Sequence, residues 1–411
     1  MTAAAPFDFA ALIAPGQPPP AVKWTGFPRH NFVGGHNDPE HVPVEALAAA
    51  ANAVLAREGR TLATYGLQSG PLGYRPLREF LARKLKGHAR IACDPDEVLV
   101  TSGSLQALDL VNALLLVRGD TVLIEHASYG GALRRLARLG VDAVGVPLDA
   151  DGLRADALAS ALEDLARRGI RAKYIYTIPT VQNPTGTVMS EARRAEVIAL
   201  ARRYGVPIFE DECYSDLVWS GTRPPALYAM AGGEGVIHIG SFSKSISPAL
   251  RIGYIVARWD ILSRILALKS DGGTGALEQM VLGEFCPAHF EAHVPKLTEA
   301  LRAKLDTLME ALAEQFGTAA EFEPPAGGIY LWVKLPDSVD SQRLAQMALA
   351  EGIAINPGPE WTMDKAYGGS RLRLCFAHPS HEALREGVAA LARVCNREFG
   401  VPAQIANVRG G

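Results

Sequence analysis

Gly235-Val-Ile-His-Ile-Gly240 is a short apolar run that ends in the polar turn Ser241-Phe-Ser-Lys244, and Arg251 stands seven residues on, ahead of Ile252-Gly-Tyr-Ile-Val256. A lysine at the carboxyl end of a parallel strand faces the crevice where open α/β sheets hold their ligands. Ser241 and Ser243 can donate to an anion, Arg251 can return to that anion, and Lys244 can form an imine. Taken alone, the same four residues also fit a surface lysine in a polar turn.

Outward from this stretch the chain alternates short β-branched runs with helical segments. Strands are expected at Glu97–Thr101, Thr121–Glu125, Val141–Val146, Ala172–Thr177, Pro207–Glu210, Gly235–Gly240 and Gly253–Ala257. Seven buried runs of this kind predict an α/β fold, with a mostly parallel sheet covered on both faces by helices. Before them come a proline- and alanine-rich arm, a loop over Val33–Pro43, and helices at Val44–Glu58 and Arg75–Lys86. After them come helices at Trp259–Lys269 and Ala276–Phe316, the second expected to be interrupted at Pro287 and Pro295. From Glu321 the pattern becomes strand (Ile329–Val333), helix (Ser341–Glu351), strand (Arg371–Phe376) and helix (His381–Phe399), which predicts a smaller α+β domain. The expected organisation is an arm at 1–43 packing with the small domain, a large domain at 44–300 and the small domain at 301–411.

The chain has 411 residues, 48% hydrophobic and 21% charged, so it can bury a large core without staples. A net charge of −3 argues against nucleic acid as a partner, because phosphates need a basic face. The five cysteines show no CxxC spacing and read as reduced cytoplasmic thiols. The first twenty residues do not read as a signal peptide, and no apolar run of about 18 residues predicts a membrane span. His289 and His293 have helical spacing but no supporting carboxylate, so no metal site is expected.

Other strand ends carry chemistry too. Asp211 and Tyr214 follow the run at 207–210, and Gln182-Asn-Pro-Thr-Gly186 closes another. Thr101-Ser-Gly-Ser104 opens a helix expected over Leu105–Leu116, whose free amides form an anion site. Tyr129 follows Thr121–Glu125 and can stack on a flat ring.

In this order, from about Asn31 to the end, these motifs resemble the pyridoxal 5'-phosphate (PLP) enzymes of fold type I, and within them the class I/II aminotransferases. The branch with aminoadipate, kynurenine and branched-chain or aromatic aminotransferases is the most similar, together with the catalytic domains of PLP-binding transcription regulators. The resemblance implies that Lys244 carries the cofactor as a Schiff base and moves the substrate α-proton. It implies that Asp211 pairs with the pyridinium, that Asn183 and Tyr214 reach the ring hydroxyl oxygen, and that Tyr129 covers the ring face. Ser104, Ser241, Ser243, Arg251 and the backbone of Leu105 match the phosphate cup. Tyr65 resembles a tyrosine that reaches the phosphate of a neighbouring subunit, which implies a homodimer with active sites at the interface. Arg373, rather than Arg371 two residues away on the same face of a strand, matches the arginine that grips the substrate α-carboxylate.

The expected reaction moves an amino group between an L-amino acid and a 2-oxo acid by a ping-pong mechanism. The chain departs from the family at Gly34-Gly35-His36-Asn37-Asp38, where Gly35 and His36 are expected to border the substrate, and at Glu360-Trp361. These departures keep a PLP-dependent decarboxylase, lyase or oxidase as the alternative, with a transcription-regulator domain more remote.

Overall fold

The computed structural model describes residues 8–219, 221 and 223–402, and residues 1–7 of the arm lie outside that description. Seven strands form the main sheet: Val98–Thr101 (β1), Thr121–Glu125 (β2), Asp142–Val146 (β3), Ile175–Thr177 (β4), Ile208–Asp211 (β5), Val236–Ser241 (β6) and Gly253–Val256 (β7). Their order across the sheet is β1-β7-β6-β5-β4-β2-β3. β7 runs against the direction of the other six strands, pairing Gly253 with Thr101 on one side and Ser241 on the other. All but the edge strand β3 are buried along their whole length, as continuous apolar runs require when helices cover both faces.

The covering helices are Val44–Glu58 (α1), Arg75–Ala89 (α2), Gly103–Leu115 (α3), Gly130–Leu139 (α4), Ala155–Arg167 (α5), Glu191–Tyr204 (α6) and Trp259–Leu268 (α7). Then comes Ala276–Phe316 (α8), a single helix of 41 residues with Pro287 and Pro295 inside it. The expected interruption does not occur. Each proline removes one N–H from the helix ladder, at a cost of about 3 kcal/mol. Against that, Leu282, Phe285, Phe290, Leu297, Leu301, Leu305 and Leu308 are all buried along the helix, and they hold its two halves in line. Residue 300 falls in the middle of this helix, which runs from the core under the main sheet to that of the second sheet.

The second sheet has four antiparallel strands, Glu321–Phe322 (β8), Tyr330–Lys334 (β9), Asn356–Pro357 (β10) and Arg371–Cys375 (β11), in the order β8-β9-β11-β10. Ser341–Ala350 (α9) and His381–Phe399 (α10) pack on it, each capped at its start by a side chain, Asp340 and Ser380. His30–Asn31 adds a short strand parallel to Ile353–Ala354, and Phe32 is fully buried in this second core. That pairing carries the following Gly34-Gly35 loop across to the main sheet. No described helix is long and apolar enough to cross a membrane.

Candidate active site

At the carboxyl ends of β5 and β6 lies a cavity of about 310 Å³, lined from both sheets and from the Gly34-Gly35 loop. Parallel strands bring their carboxyl ends to one edge, so residues far apart in the chain meet there. Lys244 lies in the turn after β6, and its Nζ donates to the Gly35 carbonyl at 2.6 Å. Burial lowers its pKa to about 8, and the positive charges of Arg373 and Arg251 add to the effect. The amine is therefore far easier to deprotonate than a lysine in water. A Cβ on Gly35 would lie 2.5 Å from Nζ and 2.7 Å from the Tyr330 hydroxyl, so any side chain there would have to displace these groups.

One end of the cavity is built to hold an anion. Helix α3 points its amino end at it, with Ser104 and Leu105 on the lining beside Ser241, Ser243 and Arg251. The Ser241 hydroxyl accepts from the Ser243 amide at 3.0 Å, which sets the turn. Arg251 has φ of 55°, unusual for a residue with a side chain, and is fixed by the Pro248 carbonyl at 2.9 Å and the Ser243 hydroxyl at 3.4 Å. Gly253 permits the close approach of β7 to α3, since a Cβ there would stand 2.7 Å from the Ser104 amide.

The floor is set by Asp211 at the end of β5. Its carboxylate accepts from the Tyr176 hydroxyl at 2.7 Å and the Cys213 amide at 3.2 Å, and it is 5% exposed. Burial raises its pKa, and no cationic side chain pairs with it among the described residues. The flanking carboxylates have partners elsewhere: Glu210 hydrogen-bonds His238 at 2.8 Å and lies 4.0 Å from Arg194, and Glu212 pairs with Arg223 at 3.2 Å. Asp211 is thus a buried carboxylate facing a cavity and lacking a cation, which suits a protonated ring nitrogen. Above it Asn183 donates to the Tyr214 hydroxyl at 3.2 Å, which in turn meets the Tyr330 hydroxyl at 3.2 Å. Tyr129, at the start of α4, forms a wall.

Opposite the anion end, Arg373 enters from β11 and is 2% exposed. Its Nη2 donates to Asn356 Oδ1 at 2.6 Å and to the Gly34 carbonyl at 3.1 Å, and Nη1 reaches Asn183 Oδ1 at 3.4 Å. Arg371 does not line the cavity; its guanidinium lies over the Tyr367 ring at 3.7 Å.

A family model described as aminotransferase class I and II matches residues 34–391. The chain belongs to the class I and II aminotransferases. It is 31% identical over 372 residues to aromatic-amino-acid aminotransferase 1 of Thermococcus litoralis, covering 90% of this chain and 88% of that protein. It is 34% identical over 368 residues to the 2-aminoadipate transaminase of Thermus thermophilus, covering 88% and 89%. Among solved structures, a multiple substrate aminotransferase from Thermococcus profundus superposes with a TM-score of 0.83 at 32% identity, covering 90% of this chain and 91% of that one.

In this aminotransferase the cavity gathers Gly35, Ser104, Leu105, Tyr129, Asp211, Tyr214, Ser241, Ser243, Lys244, Arg251 and Arg373, with Asn183 bonded to two of them. Two expected residues lie outside it. Tyr65 is 92% exposed and sits beside Gly272, where an added Cβ would meet its ring at 3.5 Å. His36 turns away onto Phe27 and His378, with ring centroids 5.1 and 5.6 Å distant. Burial lowers its pKa, with His378 and Lys244 adding to that.

Several residues of the site escape sequence reading. Tyr176 reads as one more apolar position of β4, yet its hydroxyl holds Asp211. Glu125 reads as the last residue of β2, but it is fully buried and accepts from Thr177, Ile178 and Gln182 at 2.5, 3.1 and 2.9 Å. Burial pushes its pKa up to about 7, and through Gln182 it fixes the turn that carries Asn183. Tyr330 and Asn356 lie on strands whose alternation reveals a face but not a partner.

Proposed function

We propose that this aminotransferase holds PLP on Lys244 and moves an amino group between an L-amino acid and a 2-oxo acid in two half-reactions. One observation carries the reading: Lys244, with its pKa lowered to about 8, shares a cavity with the buried and cation-free Asp211. The residues fit the cofactor at each end. Ser104, Ser241, Ser243, Arg251 and the first amides of α3 would hold its phosphate, Asp211 its ring nitrogen, Asn183 and Tyr214 its ring hydroxyl, and Tyr129 its face. When bound, the cofactor supplies an electron sink for the pair left behind as the α-proton departs.

The chain's own residues do the rest. Arg373 binds the α-carboxylate through its planar fork and so orients the α-carbon toward Lys244. Lys244, once its nitrogen is freed, takes the α-proton as a neutral amine, and the low pKa keeps a usable fraction neutral near pH 7. Asp211 stays ionised because a proton held on the ring nitrogen compensates its burial, and the Tyr176 hydroxyl favours the charged form. Tyr129 and Trp361 line the cavity with ring centroids 6.1 Å apart and give it an aromatic wall.

The active form is proposed to be a homodimer in the cytoplasm, with Tyr65 of one copy completing the site of the other. Tyr65 is the most exposed aromatic ring outside the arm, and it stands with the Asp271–Gly275 segment, which Gln106 ties to α3 at 2.5 Å. Sedimentation of the holoenzyme tests the dimer.

The reaction is tested by mixing the holoenzyme with single amino acids and following absorbance. Transamination predicts conversion of the bound cofactor to its amine form and stoichiometric 2-oxo acid. Release of carbon dioxide, ammonia or peroxide with no amine form would instead establish the lyase, decarboxylase or oxidase reading.

A further inference from the structure

Arg373 is gripped on both faces. Its guanidinium carbon lies 3.5 Å from the centroid of the Trp361 ring on one side and 3.8 Å from that of Tyr330 on the other. Trp361 and Tyr330 are 5% and 7% exposed, so the stack is shielded from water, where a cation over an aromatic face is held more strongly. The edge of the fork is set as well. Asn356 stands directly across from Arg373 in the β10–β11 pair and takes Nη2 at 2.6 Å.

We infer that Trp361 is a positioning residue for substrate recognition, fixing the plane in which Arg373 meets the α-carboxylate. With Tyr330 it forms an aromatic clamp, and Asn356 sets the rotation of the fork within that plane. A free arginine must surrender rotamer freedom to form a two-point contact, and the clamp has removed that freedom before substrate arrives. A lysine in the same slot has no plane for the rings to hold. The inference rests on the proposed role of Arg373 as the carboxylate site.

Trp361 can be altered without releasing its loop. Its backbone amide donates to the Gly358 carbonyl at 2.9 Å, and its carbonyl accepts from the Ser128 amide at 2.9 Å. Neither bond uses the indole. Tyr330 is a poorer target, because its hydroxyl also contacts Tyr214 at 3.2 Å.

The test compares holoenzyme W361A, W361F and R373A with the parent. Steady-state kcat and KM for an amino acid are measured, together with Kd for a 2-methyl amino acid, which has no α-hydrogen to lose. W361A is expected to raise KM and Kd about tenfold while kcat changes by less than about threefold, and W361F to recover most of the loss. Equal KM and Kd in W361A and the parent would overturn the clamp, as would a fall confined to kcat. So would a W361F that behaves like W361A, since the aromatic face would then be irrelevant. R373A separates the two readings: if it binds the 2-methyl amino acid as well as the parent does, the carboxylate site itself is wrong. If R373A loses that ligand and W361A keeps it, only the clamp fails.

Discussion

The Lys244 amine and the Gly35 carbonyl lie 2.6 Å apart, and they join a turn of the main sheet to a loop carried by the second one. A side chain at Gly35 would have to push the amine aside. Gly35→Ala places a methyl 2.5 Å from Nζ and is expected to cut kcat/KM by about 100-fold or more, since displacing the reacting amine by an ångström is costly. The melting temperature should fall by only a few degrees, about 1–3 kcal/mol of overpacking. Parent-like activity would show that Lys244 does not work from this position.

Among the described residues, Tyr176 is the one side-chain hydroxyl bonded to Asp211, at 2.7 Å. A hydrogen bond to a charged group contributes about 1.5–3 kcal/mol, so Tyr176→Phe is expected to lower kcat/KM by about tenfold. The absorbance pH titration of the holoenzyme should shift as well, because the Asp211 charge is less well held. Identical spectra and rates would remove Tyr176 from the site.

Arg373 and Arg371 lie on one strand but in different surroundings. Arg373→Lys is expected to lower kcat/KM for amino acids by about 100-fold or more through the loss of a buried, forked contact. Arg371→Ala, which removes a stack on Tyr367 and a hydrogen bond to its carbonyl, both outside the cavity, should change it by less than about threefold. Steady-state kinetics on the two variants decide between them.

Burial of Lys244 has a consequence for the cofactor-free protein. Its pKa falls from 10.5 to about 8, so between those values the unfolded chain binds a proton that the folded chain does not. Stability therefore drops as pH falls from about 10.5 toward 8, and the full penalty, about 3 kcal/mol, persists below. Cofactor-free Lys244→Met should be more stable than the parent at pH 7, with the advantage shrinking above pH 8. Denaturant melts across that range measure it, and a constant difference would contradict the shift.

Alternating apolar runs were enough to determine the seven strands of the main sheet, because a strand covered on both faces must be apolar throughout. The strand ends put Lys244, Asp211, Asn183 and Ser104 at the edge that a parallel sheet shares, and the resemblance to the family assigned them to one site. Arg373 was distinguishable from Arg371 only by likeness to relatives. Both point to the same face at period two, and the cross-strand neighbour Asn356 and the rings of Trp361 and Tyr330 decide which one is held at the cavity.

The unbroken course of α8 through two prolines was likewise illegible, because local propensity predicts a break and only packing on two cores opposes it. The lysine itself shows the division most clearly. Its place after an apolar strand is a local pattern, written in neighbouring residues. Its lowered pKa is a property of what surrounds it, and Gly35, Arg251 and Arg373 reach it only when the chain has folded.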